Sequence, residues 1–421
     1  MTCELKLIKL LRDEMVLALG CTEPIAIAYA AALVTQHLGQ VPERLLAQCS
    51  ANMIKNVKSV IVPNSGGMKG IEAACLVGAY FGDADKKLEV LSAVSPSQAK
   101  TCQSLLEKHL CEVKLLESTS TLHIIITGYA QENSVSVEIR DNHTQVVKVI
   151  KNGEVLQTQT AAPAQLVEAS LLDNIAIDEI IAFARQADYS PIVDLLDKAI
   201  ACNTQISAEG LKNPYGVNVG KVIMMTSEDS LKNRAKAVTA AASDARMSGC
   251  DLPVMINSGS GNQGLTVSLP IITYARALDC SQEQLYRALI LSNLIALYEK
   301  SYIGKLSAYC GVVCAASGSA AGITLLKGGT DSQIEAAVIN TLGTLSGMIC
   351  DGAKASCASK IATCVDTAIT CHEMAMLDNV LSAGDGIIKY DLAKTIQMVG
   401  RLANQGMQTT DKEILKIMLD K

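Results

Sequence analysis

The sequence predicts a mainly α-helical protein, in which a small α+β domain is inserted into a large helical domain. With 421 residues, of which 49% are hydrophobic, the chain can bury a large core. It contains two Phe, eleven Tyr and no Trp, so small side chains must fill much of that core and allow helices to approach closely. Short alternating runs replace helical spacing in one internal stretch. We therefore predict a helical domain from residues 1–83 and 161–421, with residues 84–160 as the inserted domain.

The first predicted elements are two helices that a cysteine-containing turn separates. Residues 2–19 place apolar side chains at helical spacing, and Gly20 is expected to end this helix. Thr22 is the predicted N-cap of a second, buried helix, and Pro24 suits its first turn. A further helix is predicted around residues 41–56.

The inserted domain is predicted to combine one helix with a β-meander. Residues 88–94 have the composition of a strand, and residues 97–110 have the spacing of an amphipathic helix. Turn residues then separate several alternating runs, as expected for antiparallel strands joined by hairpins. The four predicted strands are 111–117, 121–129, 133–140 and 144–157. Helical spacing returns from residue 161 and continues to the end of the chain.

Two glycine-rich loops, each followed by a predicted helix, are candidate anion-binding sites. Backbone N–H groups at such a loop and at a helix N-terminus can bind a carboxylate or a phosphate. Both loops are also compatible with a simple reversal of the chain or a corner between two helices. The candidate binding residues are Asn64, Ser65, Gly66, Gly67, Ser258, Gly259, Ser260, Gly261 and Asn262.

Three cysteines share one setting, the start of a predicted small-residue helix. They are Cys21, Cys310 and Cys350, and Asp351 is the predicted N-cap of the helix after Cys350. A thiol at a helix N-terminus is expected to have a lowered pKa, which favours metal binding. Three such cysteines could hold an iron–sulfur cluster in which one iron lacks a protein ligand and acts as a Lewis acid.

Three other cysteines, Cys357, Cys364 and Cys371, are spaced by seven residues, which places them on one helical stripe. Free cysteine packs as a small hydrophobic residue, so this stripe is interpreted as core. If residues 353–371 form one uninterrupted helix, Cys350 and Cys357 lie about two turns, roughly 10 Å, apart. Cys357 is therefore not expected to share a cluster with Cys350.

Charge and hydropathy exclude several classes of function. The net charge is −6, and the scattered Lys and Arg residues give no basic surface for nucleic acid or for an anionic membrane. Residues 306–326 are uncharged, but Ala, Gly, Ser and Cys dominate them, which favours a buried helix over a membrane span. The charged N-terminal segment does not resemble a secretory signal. With fifteen cysteines, we expect a protein of the reducing cytoplasm.

Three classes of chemistry remain open from the residues alone. The sequence lacks the GxxxxGK[ST], GxSxG and HExxH motifs. A pyridoxal-phosphate lyase needs a lysine for the Schiff base and a phosphate-binding loop, and Lys69, Lys300, Lys305 and Lys354 keep that possibility open. The other two classes are an iron–sulfur lyase and a non-catalytic thiol or iron sensor.

Five sequence blocks together resemble the L-cysteine desulfidase family, which belongs to the serine dehydratase alpha-chain-like group. The resemblance covers essentially the whole chain. It implies a [4Fe–4S] cluster, and conversion of L-cysteine to pyruvate, ammonia and sulfide without pyridoxal phosphate. The cluster cysteines of the family match Cys21, Cys310 and Cys350. The five blocks are Gly20–Pro24, Asn64–Gly70, Asn257–Gly264, Tyr309–Gly311 and Cys350–Lys354.

On this resemblance, the partner is a small amino-acid substrate whose carboxylate binds the two glycine-rich loops. The candidates for the base that removes the Cα proton are Glu23, Lys69, Lys300 and Lys354. Iron–sulfur L-serine dehydratases resemble the last two blocks more loosely and carry a cysteine at the C-terminus, which is absent here. L-serine is therefore left open as a second substrate, and so is assembly into a homo-oligomer.

Overall fold

The structure, a computed structural model, describes residues 2–158, 172 and 174–419. It confirms the predicted fold class, because helices dominate and a small mixed α and β part interrupts them. The predicted domain boundary between residues 160 and 161 lies outside the described residues, and the division into domains stays a prediction.

The helices account for most of the described chain and are numbered here in chain order. They are α1 (Cys3–Glu14), α2 (Thr22–Leu38), α3 (Ala51–Val57), α4 (Gly70–Phe81), α5 (Pro96–Leu106), α6 (Ile177–Gln186), α7 (Val193–Lys212), α8 (Val219–Thr226), α9 (Leu231–Met247), α10 (Gly261–Ala277), α11 (Gln282–Ile303), α12 (Gly311–Leu326), α13 (Asp331–Leu345), α14 (Ser356–Met376), α15 (Leu392–Arg401) and α16 (Gln408–Leu419). None of these described helices is long and apolar enough to cross a lipid bilayer.

The strands form one sheet of six and one small ribbon. They are β1 (Leu17–Leu19), β2 (Arg44–Cys49), β3 (Cys111–Leu115), β4 (His123–Ala130), β5 (Asn133–Arg140), β6 (Val146–Lys151), β7 (Glu154–Thr158) and β8 (Pro253–Met255). The sheet has the order β3-β2-β4-β5-β6-β7, in which β2 and β3 are parallel and the other neighbours are antiparallel. The ribbon pairs β1 with β8 and joins the first residues of the chain to the loop before α10.

Several local predictions are wrong. Helix α1 ends at Glu14 and residues 17–19 form β1, so Gly20 does not end a helix over residues 2–19. The predicted strand 144–157 is two strands, β6 and β7. Residues 41–56 are not one helix, because residues 44–49 form β2 inside the sheet and only α3 follows as a helix. Leu45, Ala47 and Cys49 are buried in alternation, which is the period of a strand. Residues 88–94 form no strand, since a 3₁₀ turn over residues 84–89 continues into further turns.

The core of the helical part is built around α12, which is buried along almost its whole length. This helix packs against α10, α11, α13 and α14. A Cβ atom added at Gly318 would lie 2.4 Å from the carbonyl oxygen of Ser292 on α11, and one at Gly322 would lie 2.8 Å from that of Ala288. The two helices therefore cross at a distance that only glycine allows, as the small-residue composition predicts.

Candidate active site

One cleft collects side chains from distant parts of the chain. Cys21, Cys310 and Cys350 all line it, and so does Cys357. The cleft encloses about 640 Å³ when the part open to solvent is included. The structure therefore brings the three predicted cluster cysteines to one place.

A short backbone pairing sets the positions of Cys310 and Cys350. The N–H group of Cys310 donates to the carbonyl of Met348 at 3.0 Å, and that of Cys350 donates to the carbonyl of Ala308 at 2.6 Å. These two hydrogen bonds flank an isolated antiparallel bridge at Tyr309. Alternate residues of an extended chain share a face, and so do directly opposed residues. Both cysteine side chains therefore lie on the same face of the bridge.

Cys21 reaches the cleft from the N-terminus of α2. It is the N-cap residue, where Thr22 was predicted. The hydroxyl of Thr22 instead donates to the carbonyl of Gly259 at 2.7 Å, which ties the start of α2 to the loop before α10. The Cys21 thiol donates to Oε2 of Glu23 at 3.0 Å, so the first candidate base contacts a candidate ligand.

The predicted lowering of the thiol pKa is wrong for the two buried cysteines. Burial raises the pKa of the Cys21 thiol well above its usual value, and the negative charge of Glu23 adds to this rise. Burial also raises the pKa of Cys310, as does the neighbouring Cys350, whereas a hydrogen bond from the backbone of Val312 lowers it. The helix N-terminus thus acts in the expected direction, but the cost of burying a charged thiolate is larger.

The chain after Cys350 differs from the predicted helix. Helix α14 begins at Ser356, and Gly352 has a left-handed φ of +94°. Cys350 and Cys357 are therefore not separated by two helical turns, and both line the cleft. The Cys357 thiol donates to the carbonyl of Gly352 at a sulfur–oxygen distance of 3.8 Å.

Asp351 caps no helix and instead pairs with two lysines. Its carboxylate lies 2.6 Å from Nζ of Lys354 and also pairs with Lys360. Burial acts to raise the pKa of Asp351, but the two ammonium groups together lower it to about 2. Lys354, held in this ion pair, does not line the cleft.

The donor set of the cleft has the chemistry of an iron–sulfur site, since three candidate cysteine thiols line it. In the described part of the chain, no group of three His, Cys, Asp or Glu side chains could hold one metal ion. A cluster spreads its thiolates over separate irons, so its ligands need not converge on one point. Sulfur donors on one cleft are also the ligands that iron–sulfur clusters select.

The second glycine-rich loop contributes to the cleft, in part. Ser260 and Asn262 line it, and Ser260 is the N-cap of α10, whose side chain accepts from the N–H group of Gln263. Ser258 and Gly259 form the turn before them, with left-handed φ values of 48° and 73°. Gly261 lies against a buried arginine, as described below.

The first glycine-rich loop lies elsewhere. Asn64, Ser65, Gly66 and Gly67 line a separate pocket together with Tyr215. The amide of Asn64 donates to the carbonyl of Leu91, and the hydroxyl of Ser65 donates to the carbonyl of Met68. The structure thus gives these four residues local partners and does not bring them to the cysteines.

Of the candidate bases, Glu23 and Lys300 line the cleft. Lys300 is buried on α11, and its Nζ donates to the carbonyl of Lys305 at 3.2 Å. Lys69 is exposed at the start of α4, away from the cysteines. Lys354 is held by its ion pair with Asp351.

Of two further cleft residues, Arg246 has no role in the sequence-based prediction, whereas Gln263 belongs to the second glycine-rich loop. Arg246 on α9 and Gln263 on α10 are each 3% exposed. Nε of Arg246 and Oε1 of Gln263 have no hydrogen-bond partner among residues 2–158, 172 and 174–419. One signal for Arg246 was present in the sequence. It lies in an Ala-rich helical run, which predicts a buried position, and arginine is rarely buried without a partner.

Comparison with known proteins places the chain in a family. The serine dehydratase alpha chain family matches residues 85–416. A UPF0597 protein of Lachnoclostridium phytofermentans is 49% identical over 417 residues, which cover 99% of each chain. UPF0597 proteins of Desulfitobacterium hafniense and Treponema denticola are 46% and 45% identical and cover 98% of this chain, with 96% and 97% of their own lengths matched. The chain therefore belongs to the serine dehydratase alpha chain family.

Proposed function

We propose that the protein is an iron–sulfur-dependent L-cysteine desulfidase that converts L-cysteine and water to pyruvate, ammonia and hydrogen sulfide. Family membership indicates a serine dehydratase-like lyase. The observation that carries the more specific proposal is the cleft in which Cys21, Cys310 and Cys350 meet beside Glu23 and Lys300.

The three cysteines would hold a [4Fe–4S] cluster. When bound, such a cluster with one iron free of protein ligands supplies a Lewis acid for the leaving sulfur. Cys310 and Cys350 are fixed by the backbone pairing of their own segments, and Cys21 is fixed by the start of α2. The protein thus presents preorganised thiols, which limits the reorganisation that cluster binding requires.

The remaining step that the chain must perform is proton removal from Cα of the substrate. Glu23 and Lys300 are the two candidate bases on the cleft. The electron pair of the Cα–H bond then forms the Cα–Cβ double bond of aminoacrylate, while the Cβ–S bond breaks and its electron pair leaves with the sulfide. Aminoacrylate then hydrolyses to pyruvate and ammonia. Ser260 and Asn262 at the start of α10 would bind the carboxylate, since a helix N-terminus favours negative charge.

Anaerobic purification tests this proposal. We expect brown, oxygen-sensitive protein that contains iron and acid-labile sulfide, and that releases sulfide and pyruvate in equal amounts from L-cysteine. The open iron makes such a cluster sensitive to oxygen. Colourless, iron-free protein with full lyase activity would refute the cluster, and a band that shifts on borohydride treatment would indicate pyridoxal phosphate instead.

L-serine dehydratase is the second candidate, since the matching family is named for that reaction. The same cleft would then release water instead of sulfide. The ratio of kcat/KM for L-cysteine to that for L-serine, measured on one anaerobic preparation, decides between the two. We expect this ratio to favour L-cysteine by at least about tenfold.

We further propose a reducing cytoplasm as the compartment of this enzyme. All fifteen cysteines are free thiols, and a thiol-ligated cluster also requires reduced cysteines. The partner in the cleft is then a small amino acid. Mass measurement of the anaerobic protein tests whether it forms a homo-oligomer.

A further inference from the structure

Arg246 is a buried cation that lines the cleft and has no hydrogen-bond or ion-pair partner in the described part of the chain. It lies in the last turn of α9 and is 3% exposed. Its Nε atom has no hydrogen-bond partner among the described residues. Burial of an unpaired charge is strongly unfavourable. The site is therefore incomplete as it stands, and an anion in the cleft would complete it.

Two acidic side chains, Asp244 on the same helix and Glu23 on the same cleft, accept hydrogen bonds from groups other than Arg246. Asp244, two residues earlier on α9, accepts from the N–H group of Gly220 at 3.0 Å. Glu23 accepts from the Cys21 thiol at 3.0 Å. The anion for Arg246 is therefore expected to come with the ligand.

Gly261 makes room for this arginine. A Cβ atom at Gly261 would lie 2.2 Å from Nε and 2.6 Å from Cζ of Arg246. The φ angle of Gly261 is not in the left-handed region, so space is the constraint here and backbone conformation is not. The first residue of α10 thus lacks a side chain where the guanidinium group lies.

Gln263 also lines the cleft, and it has a buried acceptor atom that requires a donor from a ligand. It is also 3% exposed and lines the cleft, and its Oε1 atom has no donor among the described residues. A Cβ atom at Gly311 would lie 2.9 Å from Cδ of Gln263, so the amide is held against the start of α12. A buried amide oxygen needs an N–H or O–H donor.

Together the two unpartnered groups define the ligand class. We propose that Arg246 binds the α-carboxylate, and Gln263 Oε1 the α-ammonium group, of a zwitterionic α-amino acid. The N-termini of α10 and α12 add favourable partial charge for the carboxylate. This inference rests on the proposed function for the identity of the cleft as the substrate site, and it specifies which residues select the substrate.

Isothermal titration of the anaerobic holoprotein with unreactive ligands tests it. L-alanine has both charged groups but no leaving group, L-alaninamide lacks the carboxylate, and propionate lacks the ammonium group. We expect wild-type protein to bind L-alanine at least about tenfold more tightly than either of the other two. Absence of L-alanine binding, or L-alaninamide binding within about threefold of it, would overturn the proposal without any variant.

Variants of Arg246 and Gln263 then test which side chain binds which charged group of L-alanine. Arg246→Gln should weaken L-alanine binding by at least about 30-fold, the loss typical of one partner of a buried charge pair, and should leave L-alaninamide binding unchanged. Gln263→Leu should weaken L-alanine but not propionate. Arg234→Gln is the matched control, because Arg234 lies on the same helix but is half exposed and pairs with Asp229. We expect no change from it.

A purely structural role for Arg246 would weaken all three ligands equally, and this result would overturn the proposal. If Arg246→Gln does not fold, Arg246→Lys keeps the charge and should retain the preference for L-alanine over L-alaninamide. The protein could show this Arg246-dependent preference and yet release no sulfide from L-cysteine. That result would refute the proposed function but support the amino-acid site.

Discussion

Cys21 and Cys357 are the two candidates for the third ligand of the proposed cluster. Both line the cleft beside Cys310 and Cys350. Cys357 follows Cys350 closely in the chain and already donates to the carbonyl of Gly352. Cys21 comes from the N-terminus of a separate helix, as Cys310 does. We favour Cys21 because it shares the N-cap position of Cys310.

Cys21→Ala is therefore expected to lose both cluster and activity, whereas Cys357→Ala should retain most of both. Iron, acid-labile sulfide and pyruvate production are measured on the two variants after preparation without oxygen. The two variants are matched, since each removes one thiol from the same cleft. A Cys21→Ala protein with a full cluster would refute the assignment.

Gly261→Val is expected to raise KM for L-cysteine or abolish turnover, with iron content unchanged. The added Cβ atom would lie 2.2 Å from Nε of Arg246, so the arginine must move from the cleft. Steady-state kinetics and iron analysis on the same preparation test this expectation. An unchanged KM would show that neither Gly261 nor the position of Arg246 matters for substrate binding.

Sequence identified the cysteines but not the arginine, and the reason is physical. Cys21 and Cys310 follow or precede glycine at the start of small-residue helices, which is a local pattern. The importance of Arg246 depends on burial and on the absence of an acidic partner, which distant residues determine. Tertiary packing similarly decides the pKa of the Cys310 thiol, where burial outweighs the helix N-terminus.

Among the elements, α11 and α12 share a buried polar contact next to the cleft. Glu299 on α11 is 1% exposed and accepts a hydrogen bond from the hydroxyl of Ser317 on α12. Its Oε2 atom has no hydrogen-bond partner in the described part of the chain. Burial raises the pKa of Glu299 to about 8, although hydrogen bonds from Ser317 and Cys314 act to lower it.

This raised pKa predicts a pH-dependent stability. At pH values between the ordinary pKa of 4.5 and the raised pKa of about 8, Glu299 is ionised in the unfolded chain but protonated in the folded chain. The free energy of unfolding therefore falls as pH rises through this window, and the loss is complete above it. Glu299→Gln removes this pH dependence. From pH 5 to pH 8.5, the free energy of unfolding of the variant should therefore rise relative to that of wild type by on the order of 3–5 kcal/mol.

Urea unfolding of both proteins at several pH values measures this difference. Glu283→Gln is the matched control, because Glu283 lies on the same helix but is exposed and pairs with Arg287. It should change the free energy of unfolding by less than about 0.5 kcal/mol. A Glu299→Gln difference that does not vary with pH would contradict the prediction.

At the scale of elements, patterns of period and composition predicted most helices and strands, including α2, α12 and the hairpin of β4 and β5. They predicted one strand over residues 144–157, where the structure has β6 and β7. They failed for β2, since a short strand beside a helix has too few residues to separate period 2 from period 3.6. They also failed after Cys350, where Gly352 is in a left-handed conformation and delays α14 to Ser356. The sequence shows the glycine but not the close contact that requires it, 2.4 Å from its Cβ position to the carbonyl of Lys55.

In the whole molecule, the C-terminal helix α16 supports the cleft from outside. Lys55 on α3 has a side chain that is 1% exposed and pairs with Asp411 of α16. Its Nζ also donates to the carbonyl of Cys350 at 3.2 Å. One buried ammonium group thus connects α3, α16 and the segment that carries a candidate cluster ligand.

Asp411→Asn is expected to destabilise the protein by about 2–4 kcal/mol, because it leaves the buried ammonium group of Lys55 without its carboxylate. The iron content should fall as well, since the same ammonium group supports Cys350. Thermal unfolding and iron analysis test both effects. Glu413→Gln, at an exposed ion pair on the same helix, should change neither quantity; equal behaviour of the two variants would refute the supporting role.

The residues that line the cleft are synthesised at widely separated times. Cys21 and Cys350 are 329 residues apart in the sequence, which a ribosome that adds about 5–20 residues per second covers in roughly a quarter of a minute to a minute. Asp411 emerges later still. A nascent chain therefore cannot present the finished cleft, and any cofactor that the cleft takes must be delivered after translation is almost complete.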